Sequence, residues 1–283
     1  MQRYARGFTL IELSIVLVII GLIVGGVLVG RDLIRSAELR SVIADIERFN
    51  TAANTFIGKY NCVPGDCANA TTFFGTWASC SGGLGIPPGQ GTCNGNGDGK
   101  VVWSTTGAGV FGAYDETTLF WQQLSLAGLI TSSYSGELDS PAGAVIYGVD
   151  VPSSKLTNGC YAVGYSSMDI QDWPSPPLNA QFFGLGNSHA YNGTALVYPE
   201  VTCGGGLYSL PAADALKIDQ KIDDGKPYSG IVVSASYLMG GNWNWSGNLA
   251  PGCMDTNGGA SASSRYDVNA RGTACQLFFK TQF

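Results

Sequence analysis

Residues 8–30 read FTLIELSIVLVIIGLIVGGVLVG and carry a single charge, Glu12. As a helix this tract spans about 34 Å at about 1.5 Å per residue, enough to cross a bilayer core of about 30 Å. Residues 1–7, MQRYARG, place Arg3 and Arg6 in front of it and no acid. A secretory signal peptide has an apolar region of about 7–15 residues followed by a small-residue cut site. This tract is longer and ends in no such site, so it reads as a membrane anchor. Arg31, Arg35 and Arg40 follow it, so basic residues flank both ends and leave its orientation open. The cysteines decide the orientation: all eight come after the tract, which puts the C-terminal part on an oxidising side.

The helix is expected to continue past the membrane. In 31–60, RDLIRSAELRSVIADIERFNTAANTFIGKY, the residues Leu39, Val42, Ile46, Phe49, Ala53, Phe56 and Tyr60 recur at steps of three and four. That spacing makes one apolar stripe on an amphipathic helix, with a face to pack on a sheet. Gly58 to Pro64 and the following Gly65-Asp66 read as its end. Residues 8–60 then form one helix of about 80 Å.

Residues 61–283 form the head. Short β-rich runs recur at 101–103, 144–149, 160–165, 194–198, 231–238 and 274–279, punctuated by glycine, proline and asparagine. Two helices are expected among them, Asp115–Ala127 capped by Asp115 and Pro211–Ile222. The fold class is therefore α+β: a long N-terminal helix, apolar in its first half and amphipathic in its second, packed on an antiparallel, β-rich head.

Composition narrows the function classes. The chain is 45% hydrophobic and 13% charged, against about 25% charged in an ordinary soluble domain. Its net charge is −6. The head alone carries 8 Lys/Arg against 16 Asp/Glu, so the basic patch of a general nucleic-acid binder is missing. The eight cysteines, Cys62, Cys67, Cys80, Cys93, Cys160, Cys203, Cys253 and Cys275, are accompanied by one histidine, His189. Zinc sites of cysteine and histidine show paired short spacings, and Cys62 and Cys67 are the one close pair here. Four disulfides are the expected outcome, with sequence neighbours joined: 62–67, 80–93, 160–203 and 253–275.

Glu12 stands four residues into the apolar tract, where an acid is costly unless paired. The residues around it, Gly7-Phe8-Thr9-Leu10-Ile11-Glu12-Leu13 behind a short basic leader, resemble the processing motif of type IV prepilins and of the type II secretion pseudopilins. The resemblance covers residues 3–30. It implies a leader, 1–7, that a membrane peptidase removes between Gly7 and Phe8, and methylation of the new N-terminus by the same prepilin peptidase/methylase. It also implies assembly into a filament of identical or related subunits, driven by inner-membrane machinery. The physical chemistry agrees with that implication. Cutting leaves a cationic amine on Phe8 in an apolar setting, and a neighbour's Glu12 can satisfy it. Many relatives carry a proline late in the tract; here the first proline is Pro64, and Gly21, Gly25, Gly26 and Gly30 loosen the helix instead.

Within the head, Asn94-Gly95-Asn96-Gly97-Asp98-Gly99-Lys100 is similar to the first half of a calcium loop. Asn94, Asn96 and Asp98 offer oxygen side chains, Gly99 the sharp turn and Lys100 a carbonyl. The twelfth position, which takes a glutamate in an EF-hand, is Thr105. Glu116 is the expected substitute, with calcium as the cation; the other reading is a glycine-rich hairpin turn. Asp219, Asp223 and Asp224 crowd the end of the second helix, where acids oppose each other and the dipole. A cation, Lys226 or the amides of the Gly225 turn would compensate, and turn chemistry is the preferred account. Trp173, Trp243 and Trp245 read as core aromatics before they read as a binding surface. His189 reads as a loop or core residue.

Three function classes follow: a structural filament subunit, held in the inner membrane as a precursor with its head in the periplasm and then part of an extracellular pilus or periplasmic pseudopilus; a minor or tip subunit acting as an adhesin; and a membrane-anchored periplasmic hydrolase. No G-x-S-x-G, H-E-x-x-H or P-loop occurs, so the non-enzyme reading leads.

Overall fold

The computed structural model describes residues 9–77, 80, 91–102, 116–136, 148–156, 159–166, 180–187, 210–236, 253–255, 263–269 and 275–283. Its first element, α1, runs Leu10–Tyr60 without interruption, about 76 Å at about 1.5 Å per residue. Thr9 caps it, and Asn61 ends it in the left-handed conformation, φ 56°, donating its amide to the Ile57 carbonyl at 2.8 Å. From Leu10 to Ile34 the large apolar side chains are exposed. From Leu39 onward the expected Leu39, Val42, Ile46, Phe49, Ala53 and Phe56 are buried, joined by Ala52, while Tyr60 is half-buried.

The head follows as α2 (Ala70–Phe74), α3 (Glu116–Leu126), β1 (Gly159–Ser166), β2 (Ala180–Asn187), α4 (Ala212–Ile222), β3 (Val232–Ser236) and β4 (Cys275–Lys280). The four strands form one antiparallel sheet in the order β1-β2-β4-β3. Alternation selects one face. Tyr161, Leu185, Leu277 and Ser234 lie in one row of paired residues; Val163, Phe183, Phe279 and Val232 lie in another. All are buried, and they meet the stripe of α1 together with Phe120, Trp121 and Leu124 of α3 and Ala215 and Ile218 of α4. Phe49 is the pivot, edge-on to Trp121 at 4.8 Å and to Tyr161 at 5.1 Å, and 5.9 Å from Phe183.

At each sheet edge one amide is taken by neighbouring backbone. Tyr161 N donates to the Pro152 carbonyl at 2.9 Å on the β1 side, and Ser234 N to the Pro227 carbonyl at 2.9 Å on the β3 side. Disulfides join Cys62 to Cys67, Cys80 to Cys93 and Cys253 to Cys275. Cys160 is also disulfide-bonded; Cys203 lies outside the described residues.

Several boundaries differ from expectation. The run at 101–103 forms no strand over Val101 and Val102; their amides go instead to the side chains of Gln181 and Glu116. Residues 148–149 are a turn. β2 and α2 were not expected. β2 contains Gly184 and Gly186, which break the β-rich pattern; a Cβ at Gly184 would only touch the Phe278 ring, at 3.6 Å. Helix α4 begins one residue later than expected because Pro211 is its cap, and α3 begins at Glu116. Residues 1–8, including Gly7 and Phe8, the strand expected at 194–198, and Trp173, His189, Trp243 and Trp245 lie outside the described residues, as do Asp115 and Thr105.

Candidate functional site

The N-terminal segment is unpaired by its own chain. α1 is long and apolar enough to cross a membrane, and none of its most apolar window is buried. Glu12 is held within its own first turn. Its Oε2 accepts the Thr9 amide and the Thr9 hydroxyl, both at 2.8 Å, while its own amide donates to the Thr9 Oγ1 at 3.3 Å. This is a complete capping box, so two amides at the start of the helix find side-chain partners. Thr9 was not among the expected site residues, although T-x-x-E before an apolar run is a readable signal.

The free half of α1 stops where Arg35 meets the head. Its Nε and Nη2 both reach Asp214 Oδ2, at 2.9 and 2.8 Å, and its Nη1 reaches Glu38 at 2.9 Å. Asp214 is buried in the first turn of α4, where an acid suits the helix dipole. Lys217 adds a second cation at 3.4 Å. Ten residues further along, Asp45 accepts the Tyr161 hydroxyl at 3.0 Å and pairs with Arg48 at 3.0 Å. These polar ties, one to α4 and one to β1, add to the apolar stripe in fixing the helix to the head.

The 94–100 loop is organised around a residue that sequence reasoning passed over, Asp66 in the Cys62–Cys67 loop. Asp66 Oδ1 accepts the amides of Gly97 (2.6 Å) and Asp98 (3.1 Å), and its Oδ2 accepts that of Gly99 (2.8 Å). Successive amides turned on one carboxylate form an anion-holding nest. Glu116 does come to the loop, as expected, and clamps it: Oε1 takes the Asn96 amide at 3.1 Å and Oε2 the Val102 amide at 3.0 Å. Asn94 Oδ1 accepts the Thr71 amide, Asn96 Oδ1 that of Asp98 and Asp98 Oδ1 that of Lys100. Lys100 carries its ammonium over the Tyr165 ring, 4.7 Å from the centroid. Burial pushes the Asp66 and Glu116 carboxyls above their ordinary range, against the pull of the amides. Repulsion from Asp98 pushes both the same way, and Asp66 adds its own push on Glu116.

At the end of α4, Asp219, Asp223 and Asp224 bring carboxylate oxygens within 4.8 Å of one another, the one such acidic trio among the described residues. Backbone amides compensate. Asp219 takes Gly225 N at 3.1 Å and the Tyr266 hydroxyl at 2.8 Å; Asp224 takes Lys226 N at 2.9 Å and the Ser229 hydroxyl at 2.7 Å; Asp223 takes Ile231 N and Val232 N. Turn chemistry therefore accounts for the trio. Burial, with repulsion from Asp224 and Asp223, raises Asp219 to about 7 despite its two hydrogen bonds.

No curated protein and no solved structure matches the chain. A family model does match its start: residues 2–28 fit the prokaryotic N-terminal methylation motif. That span holds Gly7, Phe8, Thr9 and Glu12 and most of the apolar tract. The chain thus carries, at its N-terminus, a prokaryotic N-terminal methylation motif over the same residues in which its sequence resembles type IV prepilins and pseudopilins.

Proposed function

We propose that this chain is a structural subunit of a type IV pilus or pilus-like filament. It is held in the inner membrane as a precursor, with residues 1–7 as leader, 8–60 as anchor and assembly helix, and 61–283 as a periplasmic head. A prepilin peptidase cuts between Gly7 and Phe8 and methylates the new amine. Inner-membrane machinery then lifts the subunit from lipid into a filament of identical or related copies. The observation that carries this reading is the unlike halves of α1: apolar and uncovered up to Ile34, buried in the head from Leu39. An apolar helix that its own chain leaves bare requires lipid or other copies around it. Glu12 then trades its Thr9 box for the Phe8 amine of a neighbour, because a charge brought into an apolar filament core needs a partner. The role is structural; the sequence contains no G-x-S-x-G, H-E-x-x-H or P-loop to favour a periplasmic hydrolase.

Shearing filaments from cells and reading the subunit masses tests this. The expected result is this chain in the sheared fraction, beginning at methylated Phe8. A chain cut at Phe8 but absent from surface filaments, and required for secretion, favours the pseudopilin reading. Trace recovery with loss of adhesion favours a minor or tip subunit. An uncut Gly7–Phe8 bond overturns the proposal.

Calcium at the 94–100 loop belongs to the same proposal. Asp66, Asp98 and Glu116 are hard oxygen donors that repel one another, and a divalent cation would relieve that repulsion. With Asn94, Asn96 and the Lys100 carbonyl they are the residues that would hold it. An affinity of about 10⁻⁴–10⁻³ M, that of extracellular modules, is expected. A thermal melt should rise with calcium over chelator in the wild type and not in Asp98→Ala; identical wild-type melts leave the loop as a turn held by Asp66 and Glu116 alone.

A further inference from the structure

The 94–99 loop contains two Asn-Gly pairs, Asn94–Gly95 and Asn96–Gly97. Such pairs are chemically fragile. The glycine amide nitrogen, unhindered by a side chain, loses its proton to solvent base and attacks the asparagine Cγ. The new N–Cγ bond expels ammonia and leaves a succinimide. Water opens that ring to aspartate or, more often, to an isoaspartate that reroutes the backbone through the side chain.

The fold does not permit the simplest escape, a larger residue after asparagine. A Cβ at position 95 would collide with the Asp66 Cα and the Gly65 carbonyl, and Gly97 sits at φ +79°, with its Cβ position 3.0 Å from the Ala68 Cβ. Glycine is required at both places, so fragility comes with the loop. The residues 94, 96 and 97 are also exposed to solvent.

Both reacting groups are nevertheless pinned. Gly97 N–H donates to two acceptors of one residue, the Asp66 Oδ1 at 2.6 Å and the Asp66 carbonyl at 2.9 Å. A proton held between two oxygens, one of them a carboxylate, is harder to remove. The Asn96 Oδ1 is fixed by the Asp98 amide at 2.8 Å. Gly95 N–H is held separately, by the Cys67 carbonyl at 3.0 Å, and the Asn94 Oδ1 by the Thr71 amide at 2.9 Å. The two pairs therefore have different guards within one disulfide loop.

We propose that Asn96–Gly97 is a latent deamidation and backbone-isomerisation site that Asp66 holds closed, so that its conversion records the opening of the contact between the Cys62–Cys67 loop and residues 96–99. This stands independently of filament assembly. It assigns Asp66 a protective role in a chain whose loop must keep its covalent form.

The test is peptide mapping by mass after prolonged incubation of the full chain in detergent at mildly alkaline pH, with the reduced and denatured chain as the reference clock. Asn96 in the folded wild type should convert many-fold more slowly than in the denatured chain. In Asp66→Ala, conversion at Asn96 should rise severalfold while Asn94, guarded by Cys67, stays slow. Cys62→Ser/Cys67→Ser should release both. Three outcomes overturn the proposal: wild-type Asn96 reacting at the denatured rate, Asp66→Ala leaving Asn96 slow, or Asp66→Ala accelerating Asn94 and Asn96 equally, which would mark general unfolding instead of a specific guard.

Discussion

Glu12 and Asp219 are both carboxylates out of place, and they resolve the problem differently. Glu12 closes a box with Thr9 at the end of a helix that has no cover. Replacing it by valine makes the tract a better anchor and removes the partner for a neighbour's amine. Glu12→Val is expected to be cut at Phe8 normally and to yield few or no filaments; N-terminal mass analysis and sheared-filament yield read the two steps separately. Asp219 is buried among like charges, and its carboxyl titrates at about 7 instead of 3.8. A raised carboxyl binds its proton more tightly in the folded chain than in the unfolded one. Stability from this group is therefore fullest below about pH 4, falls as pH rises, and is lost once pH passes about 7. Melts of the chain in detergent should drop between pH 5 and pH 8. Asp219→Asn, which keeps an acceptor for Gly225 N or Tyr266, should flatten that slope and melt no lower than wild type at pH 8. A slope unchanged in the variant would assign it to other groups.

At the scale of elements, α1 is held to the head by one apolar stripe and two polar ties, Arg35 to Asp214 and Asp45 to Tyr161. Phe49 lies at the centre of that stripe, in contact with α3, β1 and β2, so Phe49→Ala leaves a cavity bounded by three elements. A loss of about 3–5 kcal/mol is expected from denaturant unfolding. Arg35 acts at the edge of the same contact. Because Asp214 is buried, Asp214→Ala leaves Arg35 with Glu38 alone, whereas Arg35→Ala leaves a buried carboxylate with only Lys217 at 3.4 Å. Arg35→Ala should therefore destabilise more than Asp214→Ala, and the reverse order in paired melts would contradict the clamp. The same scale shows where sequence periodicity succeeds and where it fails. The steps of three and four in 39–56 predicted the buried face of α1 almost residue by residue, because a long helix on a flat core has only one way to hide them. β2 escaped notice because Gly184 and Gly186 contribute no apolar side chain to its alternation. Asp66 escaped because a single acid in a CVPGDC turn carries no pattern; its role exists only once loop 96–99 folds over it.

Across the whole molecule, the parts that promote assembly and those that prevent it are separated. Each edge strand of the sheet gives one amide to neighbouring backbone, Tyr161 to the Pro152 carbonyl and Ser234 to that of Pro227, which leaves fewer free groups for strand addition. Among the described residues, the continuous exposed apolar surface lies on residues 10–34 of α1, while Phe73, Val149, Ile231 and Val268 are exposed singly on the head. All described cysteines are in disulfides, which suits folding on an oxidising side of the membrane. Thiol labelling of the denatured, unreduced mature chain is expected to find almost none free, and several reactive thiols would contradict that placement. By itself the sequence determined the anchor, the processing motif, the continuous helix and its buried stripe. These are local properties, written in consecutive residues as hydropathy, spacing and one misplaced acid. Only the tertiary structure decided which strands pair, that α4 meets α1 through Arg35 and Asp214, and that Asp66 holds the amides of the 97–99 turn. Each of those depends on groups far apart in the chain, whose hydrogen bonds are specified by the packed geometry and not by any run of residues.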